Sequence, residues 1–305
     1  MVKNIIVISD THSGCQLALC PPKVVYDNGG EYVQSPLQGK LWQLWEHFWH
    51  VWVPDVTKGE PYIVVHNGDC VDGKHHDSTT QITQNLTDQG RIAIDTMRPI
   101  VSNPLVAGYY HIRGTEAHVG KSGATEEALA QALGAIPDEI GNHARWELYL
   151  RLGNALVHFS HHIGSTQSAA YESTAVYKEL IESYTESGRW KDEPPDVVVR
   201  SHRHRHFDIR IATDKGYGIS TVTPGWQLKT PFTHRLALGR TGQPQIGGIL
   251  IRAGDEDPIY TRFKVWRIQR PKEENVNGGT YNHEGRDTPG DRTPEHGGEV
   301  EEVLT

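Results

Sequence analysis

Apolar residues along this chain follow two rhythms. Short, β-branched runs at residues 5–8, 62–67, 105–113, 155–160 and 197–199 are too brief for helices and read as buried strands. Elsewhere apolar positions return every three or four residues: Leu37, Leu41, Leu44, Trp45, Phe48 and Trp52; then Ile82, Leu86, Ala93 and Met97; then Val176, Leu180, Ile181 and Tyr184. That period predicts helices laying one face on a sheet. Ser35-Pro36 supplies an N-cap and a proline at the first helical position, Pro99 closes the second helix, and a short helix covers 125–133. Residues 146–159 read as a hairpin turning at Gly153-Asn154. Strands follow at 208–212 and 218–222, and two more at 248–252 and 260–268 alternate like an antiparallel edge. Strand–helix alternation followed by strands predicts an α/β fold with two sheets flanked by helices.

Each of the five early strands ends in side chains that bind cations. The first runs into Asp10 and His12. The second meets Gly68-Asp69-Cys70-Val71-Asp72, and the third Gly114-Thr115-Glu116-Ala117-His118. The fourth meets His161-His162, and the fifth Ser201-His202-Arg203-His204. Ligands in open α/β sheets bind beyond the carboxyl ends of strands, so these residues converge on one rim as a metal site. Mixed imidazole and carboxylate donors suit manganese, iron or zinc better than magnesium or calcium. His75 and His76 follow in a loop that either faces this rim or is ordinary polar surface. Gly141-Asn142-His143 looks like a metal triplet but follows no strand, and reads as a decoy.

Charge narrows the picture. The net −8 is concentrated at the end: residues 271–305 carry nine acidic and three basic side chains, with six glycines and three prolines. That tail is expected to be disordered, leaving 1–270 as the folded domain. The remaining body, near −2, has no global field for a polyanion. Three cysteines give no disulfide framework, and neither a membrane span nor a signal peptide is apparent, so a cytoplasmic protein is expected.

The motif order, from residue 5 to about 225, resembles the calcineurin-like metallophosphoesterases, whose pattern runs D-x-H, G-D-x-x-D, G-N-H-(D/E), H, G-H-x-H. The G-T-E-A-H turn is similar to that of phage and prophage phosphoesterases. The resemblance implies a four-layer α/β/β/α sandwich with two mixed sheets and a site for two divalent ions, manganese foremost, with iron, zinc or nickel as alternatives. Asp10, His12 and His204 would hold one ion, Asp69 would bridge, and His161 and His202 would hold the second. Asp72 would orient a ligand. The family Asn is missing, so Glu116 would supply the second ion's oxygen, with Thr115 as the competing assignment, and His118 would be the acid for the leaving group. His162 could exchange roles with His161 or touch substrate, and Arg113 and Arg203 could hold phosphate oxygens. The implied activity is a phosphoesterase, foremost a phosphodiesterase using metal-activated water, acting on a phosphoester such as a nucleotide or nucleic acid. A nuclease on the same site is the alternative raised by the arginines between 200 and 210. A metal-binding interaction protein that lost the chemistry is a second, raised by the altered third motif.

Overall fold

In the computed structural model the described residues are 2–75, 77–164, 168–236, 242–254, 258–268 and the backbone of 299–303. The elements run β1 (Asn4–Ile8), β2 (Lys23–Val25), β3 (Glu31–Val33), α1 (Pro36–His47), a π-helical turn (Phe48–Trp52), α2 (Val53–Thr57), β4 (Tyr62–Asn67), α3 (Leu86–Val101), β5 (Val106–Ile112), α4 (Glu116–Val119) and α5 (Ala124–Ala132). They continue with β6 (Ala144–Arg145), β7 (Leu148–Leu152), β8 (Ala155–Phe159), α6 (Glu172–Trp190), β9 (Val197–Arg200), β10 (Phe207–Thr213), β11 (Gly216–Val222), α7 (Pro231–Arg235), β12 (Gln245–Arg252), β13 (Tyr260–Ile268) and β14 (Glu299–Val303).

Two mixed sheets carry the fold. The larger runs β14-β13-β12-β1-β4-β5-β6 and the smaller β10-β11-β9-β8-β7. β1, β4, β5 and β6 are parallel neighbours, as are β8, β9 and β11. The two-residue period of β1 sends Ile5 and Val7 to one face and Ile6 and Ile8 to the other, all buried. Ile5, Val7, Val65 and Ile251 meet Leu148, Val157, Phe159, Val199 and Ile219 in the layer between the sheets. Ile6, Ile8 and Val64 meet Leu41, Trp45, Phe48 and Met97 under the helices. Val176 of α6 packs with Phe207, Ile209 and Val222 on the opposite outer face. The order is therefore helix, sheet, sheet, helix: the four-layer α/β/β/α sandwich.

Local chemistry sets the helix bounds. Ser35 Oγ accepts the Gln38 amide N–H at 3.2 Å while Gln38 Oε1 accepts the Ser35 N–H at 3.0 Å, a reciprocal capping box. Pro99 does not stop α3. It removes one N–H in the last turn, and the helix runs on to Val101. The pair read as an antiparallel edge is antiparallel, but β12 lies inside the sheet between β1 and β13. Within the stretch expected to be disordered, 299–303 pairs in parallel with β13; residues 269–298 and 304–305 lie outside the described residues. No helix among the described residues is long and apolar enough to cross a membrane.

Candidate metal centre

The loops after β1, β4, β8 and β9 meet at the carboxyl ends of both sheets. The first two are laced together, with Asp10 N–H donating to Gly68 O at 2.9 Å and His12 N–H to Asp69 O at 3.1 Å. Asp10, His12, Asp69, His202 and His204 all sit in the left-handed region, at φ 53°, 42°, 54°, 71° and 52°. Asp and His are among the residues that tolerate it best, and each such residue stores strain that the surrounding structure must hold. A hydroxyl chain ties the sheets together beneath. Ser9 Oγ donates to Asp10 Oδ2 at 2.5 Å and meets Thr223 Oγ1 at 2.5 Å; Thr223 meets Ser201 Oγ at 2.7 Å, which accepts from Asn67 Nδ2 at 2.6 Å.

Among the described residues four donor sets result: two include His118, with His12 and Asp69 or with Asp72 and His75, and the remaining two hold the strand-end ligands. Asp10, His12 and His204 face one another: His12 Nε2 and His204 Nε2 are 3.1 Å apart, and Asp10 Oδ1 lies 3.3 Å from His204 Nε2 and 3.9 Å from His12 Nε2. Asp69, His161 and His202 form the other, with Asp69 Oδ2 at 3.0 Å from His161 Nε2 and 3.9 Å from His202 Nδ1. Asp10 Oδ1 is also 3.9 Å from His161 Nε2, so the sets adjoin. Asp10, His12, Asp69 and His161 are buried, whereas the His202 side chain is 45% exposed and marks the open side.

These donors fit cations. Asp10 Oδ1 is buried with no hydrogen-bond donor aligned on it, and two imidazole nitrogens converge beside it. Burial opposes charge on both carboxyls, yet His204 and His161 hold Asp10 below its usual range, and His161 and His118 do the same for Asp69. Against the same burial, Asp69 and Asp10 push His161 up to about 10. The carboxylates thus hold positive charge at the rim, the place a metal ion would fill. His161 Nδ1 faces Asn67 O at 2.7 Å, which fixes a proton there and turns Nε2 inward, the orientation metal-binding histidines adopt.

The third loop departs from expectation. Glu116 opens α4 with its side chain exposed and joins none of the donor sets. Thr115 takes the inward position, but as a donor: its N–H and Oγ1 reach Asp69 Oδ1 at 2.7 and 3.2 Å. His118 does turn inward. Its Nδ1 is 2.6 Å from Asp72 O and its Nε2 is 4.0 Å from Asp69 Oδ2, with the ring edge-on to His12. His75 stands behind it, edge-on to His118 and 3.4 Å from Asp72 Oδ1; His76 lies outside the described residues. Asp72 lies 3.7 Å from His12 Nδ1 and accepts from Gln81 and Gln227, neither of which carries a sequence signal.

The two arginines read as phosphate contacts hold loops beside the rim. Arg113 donates to Ala144 O, Ser122 O and Glu127, and Arg203 to Glu172 O and Gly164 O. His162 is exposed, near the rings of His161 and His202. Asn142 and His143 bond Asp138 and Glu127 and join no donor set, as the decoy reading expects.

No family model and no curated protein matches the chain. Solved structures resemble it remotely. A conserved uncharacterized protein from Streptococcus pneumoniae, described as a predicted phosphoesterase, is 12% identical with a TM-score of 0.35, over 86% of this chain and 89% of that one. Vps29 complexed with zinc, from Entamoeba histolytica, is 10% identical with a TM-score of 0.38, over 86% and 92%. The NAD nucleotidase of Haemophilus influenzae is 13% identical with a TM-score of 0.40, over 93% of this chain and 54% of that one. Likenesses this distant carry no activity across.

Proposed function

We propose that this chain is a phosphoesterase of the calcineurin-like type, dependent on two divalent ions with manganese foremost, and that it cleaves phosphodiesters. The observation that carries the reading is the pair of adjoining Asp/His donor sets assembled from strand ends of both sheets. Asp10, His12 and His204 would hold one ion, and His161 and His202 the other, with Asp69 between them. Ions bound there supply Lewis-acid polarisation of a phosphoryl oxygen and of the attacking water.

The chain's own residues supply the rest. Asp69 is fixed by Thr115, whose N–H bonds its Oδ1 and whose hydroxyl reaches both oxygens, while Oδ2 faces His161. His118 is placed to move a proton: its Nδ1–H is committed to Asp72 O, so Nε2, on the side of the donor sets, is the nitrogen that exchanges. An imidazolium there protonates the departing oxygen. His202 and His162, at the open side, are the residues a substrate meets first.

The test is Asp69→Asn. Metal content should fall at both positions, and manganese-dependent turnover of chromogenic mono- and diesters should be lost. Two ions retained at full activity would refute the assignment. Labelled DNA and RNA in the same panel separate a nuclease from an enzyme of small diesters.

A further inference from the structure

Glu126 is a fully buried carboxylate on α5, a helix that contributes no donor to the metal sets. Its Oε1 accepts the Cys70 N–H at 2.9 Å and its Oε2 the Gly114 N–H at 2.6 Å. Cys70 follows Asp69, and Gly114 precedes Thr115. Thr115 in turn donates its own N–H to Asp69 Oδ1 at 2.7 Å. The hydrogen bonds close a ring: Glu126 to the β4 loop, Asp69 to the β5 loop, and the β5 loop back to Glu126. Such a ring adds to the bond between His118 Nδ1 and Asp72 O at 2.6 Å, and it is the tie that lies directly behind Asp69.

His111 Nε2 approaches Glu126 Oε1 at 3.6 Å, while His111 Nδ1 is 2.6 Å from Tyr109 Oη. Burial pushes the Tyr109 hydroxyl well above its usual range, so it stays protonated beside Nδ1. The two amide N–H groups that the carboxylate accepts both belong to the metal-site loops.

We infer that Glu126 is a positioning residue whose carboxylate clamps the β4 and β5 loops and thereby sets how tightly the Asp69 side of the centre holds its ion. The inference rests on the metal-binding reading above. Both oxygens are needed, because each amide requires an acceptor. Glutamine keeps the shape but turns an NH2 toward one of the two N–H groups, opening the ring at one point.

The experiment titrates manganese into the metal-free full chain by calorimetry, with urea unfolding of the same samples. Glu126→Gln should bind roughly tenfold to hundredfold more weakly, the usual effect of removing a group that orients metal ligands. Leu133→Ala, a core cavity at the end of the same helix, should lower stability and leave affinity unchanged. Should Glu126→Gln not fold, Glu126→Asp, which withdraws both oxygens by one methylene, carries the same comparison. Wild-type affinity in the Glu126 variant, or equal losses in it and Leu133→Ala, overturns the positioning role alone. A wild-type chain that takes up no metal overturns the functional reading and this inference together.

Discussion

A single methyl group tests whether the loops are spaced as described. A Cβ placed on Gly114 falls 2.0 Å from Asp69 Oδ1, 2.3 Å from Asp69 N and 2.8 Å from Asp69 Cα, where ordinary contact begins at 3.4 Å. Two of these three atoms are backbone, so turning the Asp69 side chain cannot relieve the clash. The loops must part by about 1.1 Å, the shortfall at the nearer backbone atom. The bonds from Gly114 N–H to Glu126 at 2.6 Å and from Thr115 N–H to Asp69 at 2.7 Å flank the methyl, and a movement that large takes at least one out of range. Overpacking costs about 1–3 kcal/mol, and a lost bond to a buried carboxylate about 1.5–3 kcal/mol. Gly114→Ala should therefore lose roughly 3–5 kcal/mol in urea unfolding, with manganese binding impaired. Gly120→Ala is the control. It sits at φ 75°, ψ 166°, a region essentially reserved for glycine, with nothing within 4 Å, so it carries backbone strain of about 1–3 kcal/mol and no clash. A Gly114→Ala protein within 1 kcal/mol of that control and holding its metal normally would refute the reasoning.

His118→Ala should retain bound metal while slowing esters with poor alkoxide leaving groups by ~10²–10⁴, with far less effect on nitrophenyl esters; loss of metal, or equal slowing of both, would make His118 a ligand or a structural residue. Burial and the neighbouring His111 hold His66 well below the usual imidazole range, so the folded chain keeps it neutral while the unfolded chain takes up a proton below about pH 6.5. Its contribution is therefore intact above that pH and is lost as pH falls below it, by up to about 1.4 kcal/mol per pH unit; urea midpoints from pH 8 to 5 should fall less steeply in His66→Gln. Truncation after Gln269 removes β14 from the outer edge of β13 but none of the described core residues. It should leave turnover of small substrates nearly unchanged, which calorimetric melting and a chromogenic assay can check.

The rim was legible because its two signals are local. Val197–Arg200 is β-branched enough to be a strand in any context, and a strand that stops on Ser-His-Arg-His must present imidazoles at its end. The third motif was harder because its outcome depends on one turn. Thr115 stays extended at φ −77°, ψ 149° and begins α4, which rotates Glu116 to solvent and brings His118 inward. Glu126 left no trace, since a glutamate in the first turn of a short helix normally faces water; only the amides of two distant loops account for its burial. Ser9, Thr223 and Ser201 are likewise ordinary residues until the two sheets place them in line.

The left-handed backbone at Asp10, His12, Asp69, His202 and His204 bears on how this protein can be changed. Each position costs about 1–3 kcal/mol relative to a relaxed conformation, and glycine would remove much of that cost. A library screened for heat resistance alone should thus accumulate glycine first at His202, the exposed one of the five, and its hardiest survivors would lack an imidazole of the proposed metal centre. Screens for a more durable form need a selection on metal uptake beside the one on temperature, and the gains left open to them lie in the helices and outer strands, away from the rim.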